Sequence, residues 1–234
     1  AGAAALAGGA ATAAPTHARP ARDSMAYALD ADRGVARWIT DQRPTDAWTR
    51  GLIADTDHRA PLDGFFPFTD WTFYQAAAPA VALPAPRVDV IASAVDGGVR
   101  RLSLCVRAGG PAEATLLYLA SAARVRALEV AGQRHDRQQV SATARWAVRY
   151  TGAPRAGYPI VLEVDAGAPV ALRAVDQYWG LDQVGAPARP DDVVPTAFGF
   201  GPTDQTYVGA SFADLHAAAP VDPAALPPAC AAAA

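Results

Sequence analysis

Hydrophobic residues alternate with small or polar residues at the start of the patterned part of the chain, over residues 25–30. A period of two predicts a half-buried β-strand. Gly34, which follows Asp32 and Arg33, can adopt the positive φ that a short hairpin loop needs. The alternation resumes over Val35–Thr40, which predicts the returning strand of a β-hairpin.

A short helix is predicted directly after this hairpin. Pro44 ends the second strand because its nitrogen has no hydrogen to donate to a sheet. Thr45 or Asp46 has the side chain of a helix N-cap, and the helix is expected over residues 47–54. Trp48 is expected to pack this helix against the sheet.

Short hydrophobic segments separated by glycine and proline continue along the chain. Residues 88–92 and 102–106 alternate with the period of a strand, and no regular alternation with helices supports a parallel α/β fold. The further strands are expected at residues 88–92, 102–106, 114–120, 125–130, 143–150, 160–164, 170–175 and 205–212. The pattern predicts a mainly β fold, an antiparallel β-sandwich with one or two short helices and long connecting loops.

The chain of 234 residues is long enough for one large domain. Residues 1–23 are expected to be a linker or the end of a membrane segment, because their apolar run is shorter than the ~20 residues a bilayer requires. Residues 24–213 are expected to form the β-sandwich domain. Residues 214–234, rich in alanine and proline, are expected to be a disordered tail.

The connection over residues 55–86 is unusually rich in aromatic residues. We expect the loop to fold onto the sheet and cover one end of the core, because aromatic side chains carry large apolar areas. The alternative is an exposed patch that binds a lipid, a protein or a sugar. With a tryptophan from a later connection, the possible binding surface comprises Phe65, Phe66, Phe68, Trp71, Tyr74 and Trp179.

The other tryptophans are assigned to the framework. Trp146 falls in an alternating run and is expected in the core. For Trp38 the sequence leaves two orientations open, inward with Ala36 or outward on the surface. The segment 199–202, Gly-Phe-Gly-Pro, is interpreted as a loop breaker.

Composition argues against nucleic-acid binding. The formal net charge is −3, and all 20 basic residues are arginine. Cys105, in a strand-like run, is expected to be a small buried hydrophobe. A disulfide with Cys230 is possible, but nothing in the sequence places the two cysteines close together.

No catalytic or metal-binding pattern is found among the histidines and glutamates. The four histidines (His17, His58, His135 and His216) have none of the spacings of zinc ligands, and none of the three glutamates are adjacent. Asp55 and Asp57 beside His58 are interpreted as a solvated loop. Asp30 and Asp32 resemble half of a calcium loop but lack its closing glutamate, so a turn is the better interpretation.

A family resemblance adds to this picture. The opening segment resembles the start of the C-terminal extracytoplasmic domain of bacterial multi-spanning membrane zinc aminopeptidases of peptidase family M-28. The matching positions are Tyr27, Asp30, Ala31, Asp32, Gly34, Ala36, Trp38, Trp48 and Thr49, followed later by Trp146, Asp176 and Gly180. After Gly180-Leu181 the chain has Asp182 where the family pattern tends to have proline.

The resemblance implies a non-catalytic accessory domain on the periplasmic or extracellular side of a bacterial membrane. It would support folding, substrate presentation or partner contact in a parent zinc exopeptidase. Its partner would be the remainder of that protein, near the membrane, and zinc is expected only in the peptidase domain that this chain lacks. The alternatives are a glycan- or protein-binding β-sandwich module with exposed aromatic residues, and a stand-alone hydrolase with a scattered site.

Overall fold

The computed structural model describes residues 20–136 and 146–232, and these residues are mainly β. Two short α-helices are present, α1 (Ala47–Leu52) and α2 (Pro228–Ala231), with 3-10 turns at Ser121–Ala123, Asp182–Val184 and Pro223–Ala225. The strands are β1 (Ala21–Asp23), β2 (Ala26–Asp30), β3 (Val35–Thr40), β4 (Ala60–Pro61), β5 (Thr72–Ala78), β6 (Arg87–Asp96), β7 (Val99–Arg107), β8 (Ala114–Leu119), β9 (Val125–Val130), β10 (Gln133–Asp136), β11 (Ala147–Thr151), β12 (Tyr158–Asp165), β13 (Leu172–Trp179), β14 (Val193–Pro195) and β15 (Gln205–Phe212).

The strands form two large sheets, which confirms the predicted β-sandwich. One sheet has five strands in the order β10-β9-β12-β7-β6, and the other has eight in the order β11-β8-β13-β15-β2-β3-β5-β4. Strands β1 and β14 form a small separate pair. Most neighbouring strands pair antiparallel, and two pairs are parallel, β15 with β2 and β1 with β14.

The main core lies between the two sheets. The five-stranded sheet contributes Leu104, Leu128 and Leu162, and the eight-stranded sheet contributes Leu117 and Leu172. All five side chains are buried. Burial of each large aliphatic side chain stabilises the fold by about 1.5–3 kcal/mol.

A second core continues along the same face of the eight-stranded sheet, beneath α1. Tyr27 and Trp38 are its largest members, and their rings meet edge to face with centroids 5.2 Å apart. Trp38 therefore points inward, which decides between the two orientations left open by the sequence. Trp48 is partly buried in the same cluster, as predicted for the residue that packs α1 down.

The opposite face of the eight-stranded sheet is covered by the aromatic connection. Phe65, Phe66 and Phe198 pack with Tyr207 on this side, next to Ala26 and Ala28 of β2. The expectation that the loop folds onto the sheet is therefore confirmed. The expectation of a half-buried first strand is wrong, because apolar layers cover β2 on both faces.

The first helix begins where its capping residue predicts. Asp46 is the N-cap, and its Oδ1 accepts a hydrogen bond from the backbone nitrogen of Thr49 at 2.8 Å. The helix ends at Leu52, two residues earlier than expected. The connection over residues 55–86, expected to be a long loop, contains two strands, β4 and β5.

The prediction of a disordered tail is wrong for residues 214–232. Leu215, Leu226 and Cys230 are buried, and Cys105 forms a disulfide with Cys230 across a Cα–Cα distance of 5.5 Å. Cys105 lies on the outer face of the five-stranded sheet, where it forms a small cluster with Ile91. The tail is thus attached to the sandwich by a covalent bond and by apolar contacts.

The expected N-terminal linker also needs a correction at its end. Ala21–Asp23 is strand β1, and the Asp23 side chain is buried. Residues 1–19 lie outside the described residues. Neither α-helix in the described ranges has the length and apolarity that a membrane crossing requires.

Removing the disulfide is expected to lower stability. The bond joins residues 125 positions apart, so in the unfolded chain it restricts a long loop. We expect the double variant Cys105→Ala/Cys230→Ala to lose about 2–4 kcal/mol of unfolding free energy, as measured by urea denaturation. The wild type in a thiol reductant is the control and should approach the variant. Equal midpoints for the oxidised wild type and the variant would contradict this prediction.

Candidate functional site

The rings of the predicted binding surface separate into buried and exposed groups. Phe65 and Phe66 are buried, so their assignment to a binding surface is wrong. Phe68 and Tyr74 are partly buried, while Trp71 is 39% exposed and Trp179 is 52% exposed. The structure thus leaves the two tryptophans available to a ligand.

Phe200 is an exposed aromatic residue that sequence reasoning missed. Its side chain is 46% exposed, and its ring lies 5.2 Å from that of Trp71. Both rings rest on the buried Phe66, at centroid distances of 5.7 Å and 6.4 Å. We call the pair of Trp71 and Phe200 the aromatic ridge.

A tight turn holds Phe200 in solvent. The backbone groups of Phe198 and Gly201 exchange two hydrogen bonds, so residues 199 and 200 form its tip. Gly199 has φ +52°, and a Cβ there would lie 3.2 Å from the Tyr207 hydroxyl. A Cβ on Gly201 would lie 2.0 Å from the Gln205 side chain, which is fully buried and would have to shift. The two glycines next to Phe200 were the available sequence signal.

Two cavities adjoin the aromatic ridge. The first measures about 310 Å³ and is mostly apolar. Its wall includes Phe66, Phe68, Leu116, Tyr118, Val148, Arg149 and Phe200. The second measures about 320 Å³ and is lined by Asp41, Arg59, Trp71, Thr72, Phe73 and Gly199. The ridge therefore separates an apolar hollow from a more polar one.

A polar chain of side chains runs across the sheet beside Phe200. Gln177 Nε2 donates to Gln205 Oε1 at 2.7 Å, and both glutamines are fully buried. Arg149 donates from Nη2 to Gln177 Oε1 at 3.0 Å and to the Phe200 carbonyl oxygen at 3.5 Å. Trp179 is the last residue of β13, so its predicted position in a connection is wrong. It follows Gln177 on the same face, because alternate residues of a strand share a face.

Within residues 20–136 and 146–232, Arg149 carries a charge that no carboxylate neutralises. It forms no ion pair within residues 20–136 and 146–232, and residues 1–19, 137–145 and 233–234 contain no aspartate or glutamate. Its contacts are hydrogen bonds to neutral oxygens of Gln177, Thr151 and Phe200. The guanidinium is therefore held in place and can attract an anionic group.

The two aspartates of the first hairpin stabilise the fold by pairing with Arg173. Its guanidinium lies 3.6 Å from Asp30 and 3.2 Å from Asp32, and it donates to the Gly64 carbonyl at 2.6 Å. The Asp32 nitrogen donates to Asp30 Oδ1 at 3.1 Å, as expected of an Asx turn. These carboxylates join the hairpin to β13 and to the aromatic connection.

A buried carboxyl holds another connection in place. Asp176 is fully buried and accepts hydrogen bonds from the Gly109 nitrogen at 2.7 Å and from the Thr115 hydroxyl at 2.8 Å. Burial raises the pKa of Asp176 to about 6. A Cβ on Gly109 would lie 2.2 Å from the Pro84 carbonyl oxygen, so this loop packs against residues 79–86 at backbone distance.

A third charged cluster surrounds Arg189. Its Nη2 donates to both Asp204 oxygens, at 2.7 Å and 2.6 Å, and its guanidinium lies 4.1 Å above the Trp48 ring. Asp23 lies 3.6 Å from the same guanidinium and accepts a hydrogen bond from Thr49. Burial raises the pKa of Asp23 and of Asp204. Gly180, with φ +80°, donates to the Asp204 carbonyl oxygen.

The histidines do not converge on carboxylates in the part of the chain that the structure describes. His58 contacts one carboxylate, Asp55, in an exposed loop. His135 is exposed, and His216 accepts a hydrogen bond from the Val170 nitrogen. Residues 20–136 and 146–232 contain no group of three His, Cys, Asp or Glu side chains arranged to hold a metal.

The Asp176→Asn variant is expected to change how stability depends on pH. Because the folded carboxyl has a raised pKa, the folded chain keeps a proton that the unfolded chain releases between about pH 4 and pH 6. The stabilisation from this group is full below about pH 4 and falls by about 3 kcal/mol as the pH rises through 6.

Urea unfolding at about pH 4 and about pH 7 checks this prediction. The stability advantage of the wild type over Asp176→Asn should shrink as the pH rises. Asp191→Asn, which changes an exposed carboxyl, is the matched control and should show no such trend. If the two variants have the same pH dependence, Asp176 does not titrate as described.

Comparison with known proteins identifies no relative of this chain. No family model matches, and neither does any curated protein or solved structure. The resemblance to the M-28 accessory domain therefore rests on the residues quoted for it and stays a prediction.

Proposed function

We propose that this chain is a non-catalytic binding domain that acts outside the cytoplasm as an accessory domain of an M-28-like metallopeptidase. The observation that carries the proposal is the aromatic ridge of Trp71 and Phe200. An accessory domain needs a surface for a protein partner, and a binding module needs one for a glycan or a protein. In both cases the ridge is the proposed contact surface.

The energetic cost of the ridge supports a binding role. An exposed phenylalanine forgoes about 1.5–3 kcal/mol that its burial would contribute. Phe200 nevertheless stands in solvent at the tip of a tight turn. Contiguous exposed aromatic residues beside cavities are typical of interaction sites.

The disulfide supports the proposed location. Bonds such as Cys105–Cys230 form and persist in oxidising compartments, including the periplasm and the extracellular space, and are rare in the cytosol. The same location follows from the family resemblance.

The residues that carry the family resemblance hold the fold together, which supports an accessory function for the domain. Tyr27 and Trp38 fill a core, while Asp30, Asp32 and Asp176 hold connections to the sheet. Residues that hold a scaffold together are the ones that an accessory domain of this kind would share with its family. The peptidase chemistry would reside in the parent protein.

Removing the ridge is expected to remove binding. We expect Trp71→Ala and Phe200→Ala each to weaken the binding of a glycan or peptide at least tenfold, because hot-spot aromatic residues contribute about 2 kcal/mol or more. The measurement is binding of the full chain to arrays of oligosaccharides and synthetic peptides, followed by titration calorimetry of the best ligands.

Val95→Ala is the matched control, because Val95 is also exposed but is not part of the ridge. Unchanged affinity in both ridge variants would refute the proposed surface. Zinc-dependent release of amino acids from peptides by the isolated chain would refute the non-catalytic role.

A further inference from the structure

Strand β11 forms one edge of the eight-stranded sheet. In the described residues it pairs only with β8. An edge strand presents a row of backbone donors and acceptors that a further strand can use. It is therefore a place where an extended peptide can join the sheet.

The register shows which backbone groups of β11 point away from the sheet. Leu119 N donates to the Trp146 oxygen at 3.0 Å, and Gly152 N donates to the Glu113 oxygen at 2.9 Å. In an antiparallel ladder, hydrogen-bonded pairs alternate with non-bonded pairs. The even-numbered residues of β11 therefore bond to β8. The N–H and C=O groups of residues 147, 149 and 151 face the free edge.

Cavities flank β11 on both faces of the sheet. Leu116 and Tyr118 place the apolar hollow of about 310 Å³ on the face of the aromatic connection, and Leu128 and Val130 place a cavity of about 500 Å³ on the face of the main core. Both cavities are lined by Ala147, Val148 and Arg149 of β11. A strand added beside β11 would direct alternate side chains into these two cavities.

The charge of Arg149 selects an acidic group in the ligand. It lies on the edge strand and pairs with no carboxylate of this chain within the described residues. Its hydrogen bonds to Gln177 and to the Phe200 carbonyl fix it at the rim of the apolar hollow. An acidic side chain of the ligand would therefore lie on the same face as the apolar side chain in the hollow.

The other three edges of the two large sheets, within the described residues, lack this combination. The four exposed residues of β10 include Arg134, which is paired with Glu163 and Asp136. The Val90 oxygen of β6 already accepts the Val221 nitrogen of the C-terminal segment. Strand β4 has only two residues, one of them proline. Charged side chains, a covering segment and proline are the usual features that keep an edge strand from pairing with another chain.

We infer that β11 binds an extended peptide by strand addition, with the side-chain pattern apolar, apolar, acidic. The first apolar side chain enters the hollow beneath Phe200, the second contacts Val148 on the opposite face, and the acidic one pairs with Arg149. This inference rests on the proposed binding function and names its ligand class.

Backbone methylation of the ligand tests the inference directly. The probes are capped synthetic hexapeptides of this pattern, such as Ser-Leu-Val-Glu-Val-Thr, titrated into the full chain. In a strand paired with β11, only alternate N–H groups of the peptide point toward the protein. N-methylation of that set should weaken binding at least tenfold, whereas methylation of the other set should leave it unchanged. Equal effects of the two sets, or no binding of any probe, would overturn the inference.

Two protein variants test the edge and the charge separately. Ala147→Pro removes an outward N–H without removing a bond to β8, so it should abolish peptide binding. Ala147→Thr keeps the N–H and is the matched control. Arg149→Glu should weaken binding of the glutamate-containing peptide at least tenfold. It should strengthen binding of the same peptide with lysine in place of glutamate. Circular dichroism and urea midpoints show whether the variants are folded.

The outcomes separate this inference from the proposed function. A ligand whose binding depends on Trp71 but not on Ala147 would overturn strand addition and leave the ridge in place. If Ala147→Pro abolishes peptide binding and Trp71→Ala affects no ligand, strand addition at β11 is supported and the aromatic ridge is refuted as a binding surface. The chain could instead form a concentration-dependent dimer that Ala147→Pro abolishes, and bind no peptide. That result would show that β11 pairs with a second copy of the chain, and it would overturn the inference of peptide binding.

Discussion

Burial of the eight-stranded sheet on both faces is the constraint on which the rest of the structure depends. The five-stranded sheet covers only part of one face, so α1 and residues 79–86 complete it around Tyr27 and Trp38. The other face is covered by a connection whose aromatic residues pack against Tyr207. A connection can serve as such a layer only if it carries large apolar side chains and its backbone polar groups are satisfied.

Buried charges attach these layers to the sheet. Arg173 joins the first hairpin to the aromatic connection, Asp176 holds the loop at Gly109, and Arg189 holds the long connection to β2 through Asp204. Each lies where irregular chain meets regular strand. Breaking one partner of such a pair leaves an uncompensated buried group, which costs more than the pair itself contributes.

Local patterns predicted local structure well. Strand β3, the Asp46 cap and β15 follow directly from alternation and capping chemistry. Alternation could not show that β2 is buried on both sides, because Ala26 and Ala28 are small enough to occur on either kind of face. The disulfide could only be left open, because its partners lie 125 positions apart and no sequence pattern places them together. Phe200 was missed because a Gly-Phe-Gly sequence shows a turn but not which way its tip points.

The parallel pairing of β2 with β15 has a consequence for biosynthesis. Met25 and Asp204, which meet where these strands begin, are separated by 179 positions. At typical rates of about 5–20 residues per second, the ribosome needs roughly 10–35 s to make the intervening chain. During that interval β2 exposes a hydrophobic edge to its surroundings. A chain that folds as it emerges can complete the centre of this sheet only after Gln205 has emerged, so β2 waits longer for its partner than β3 or β5 does.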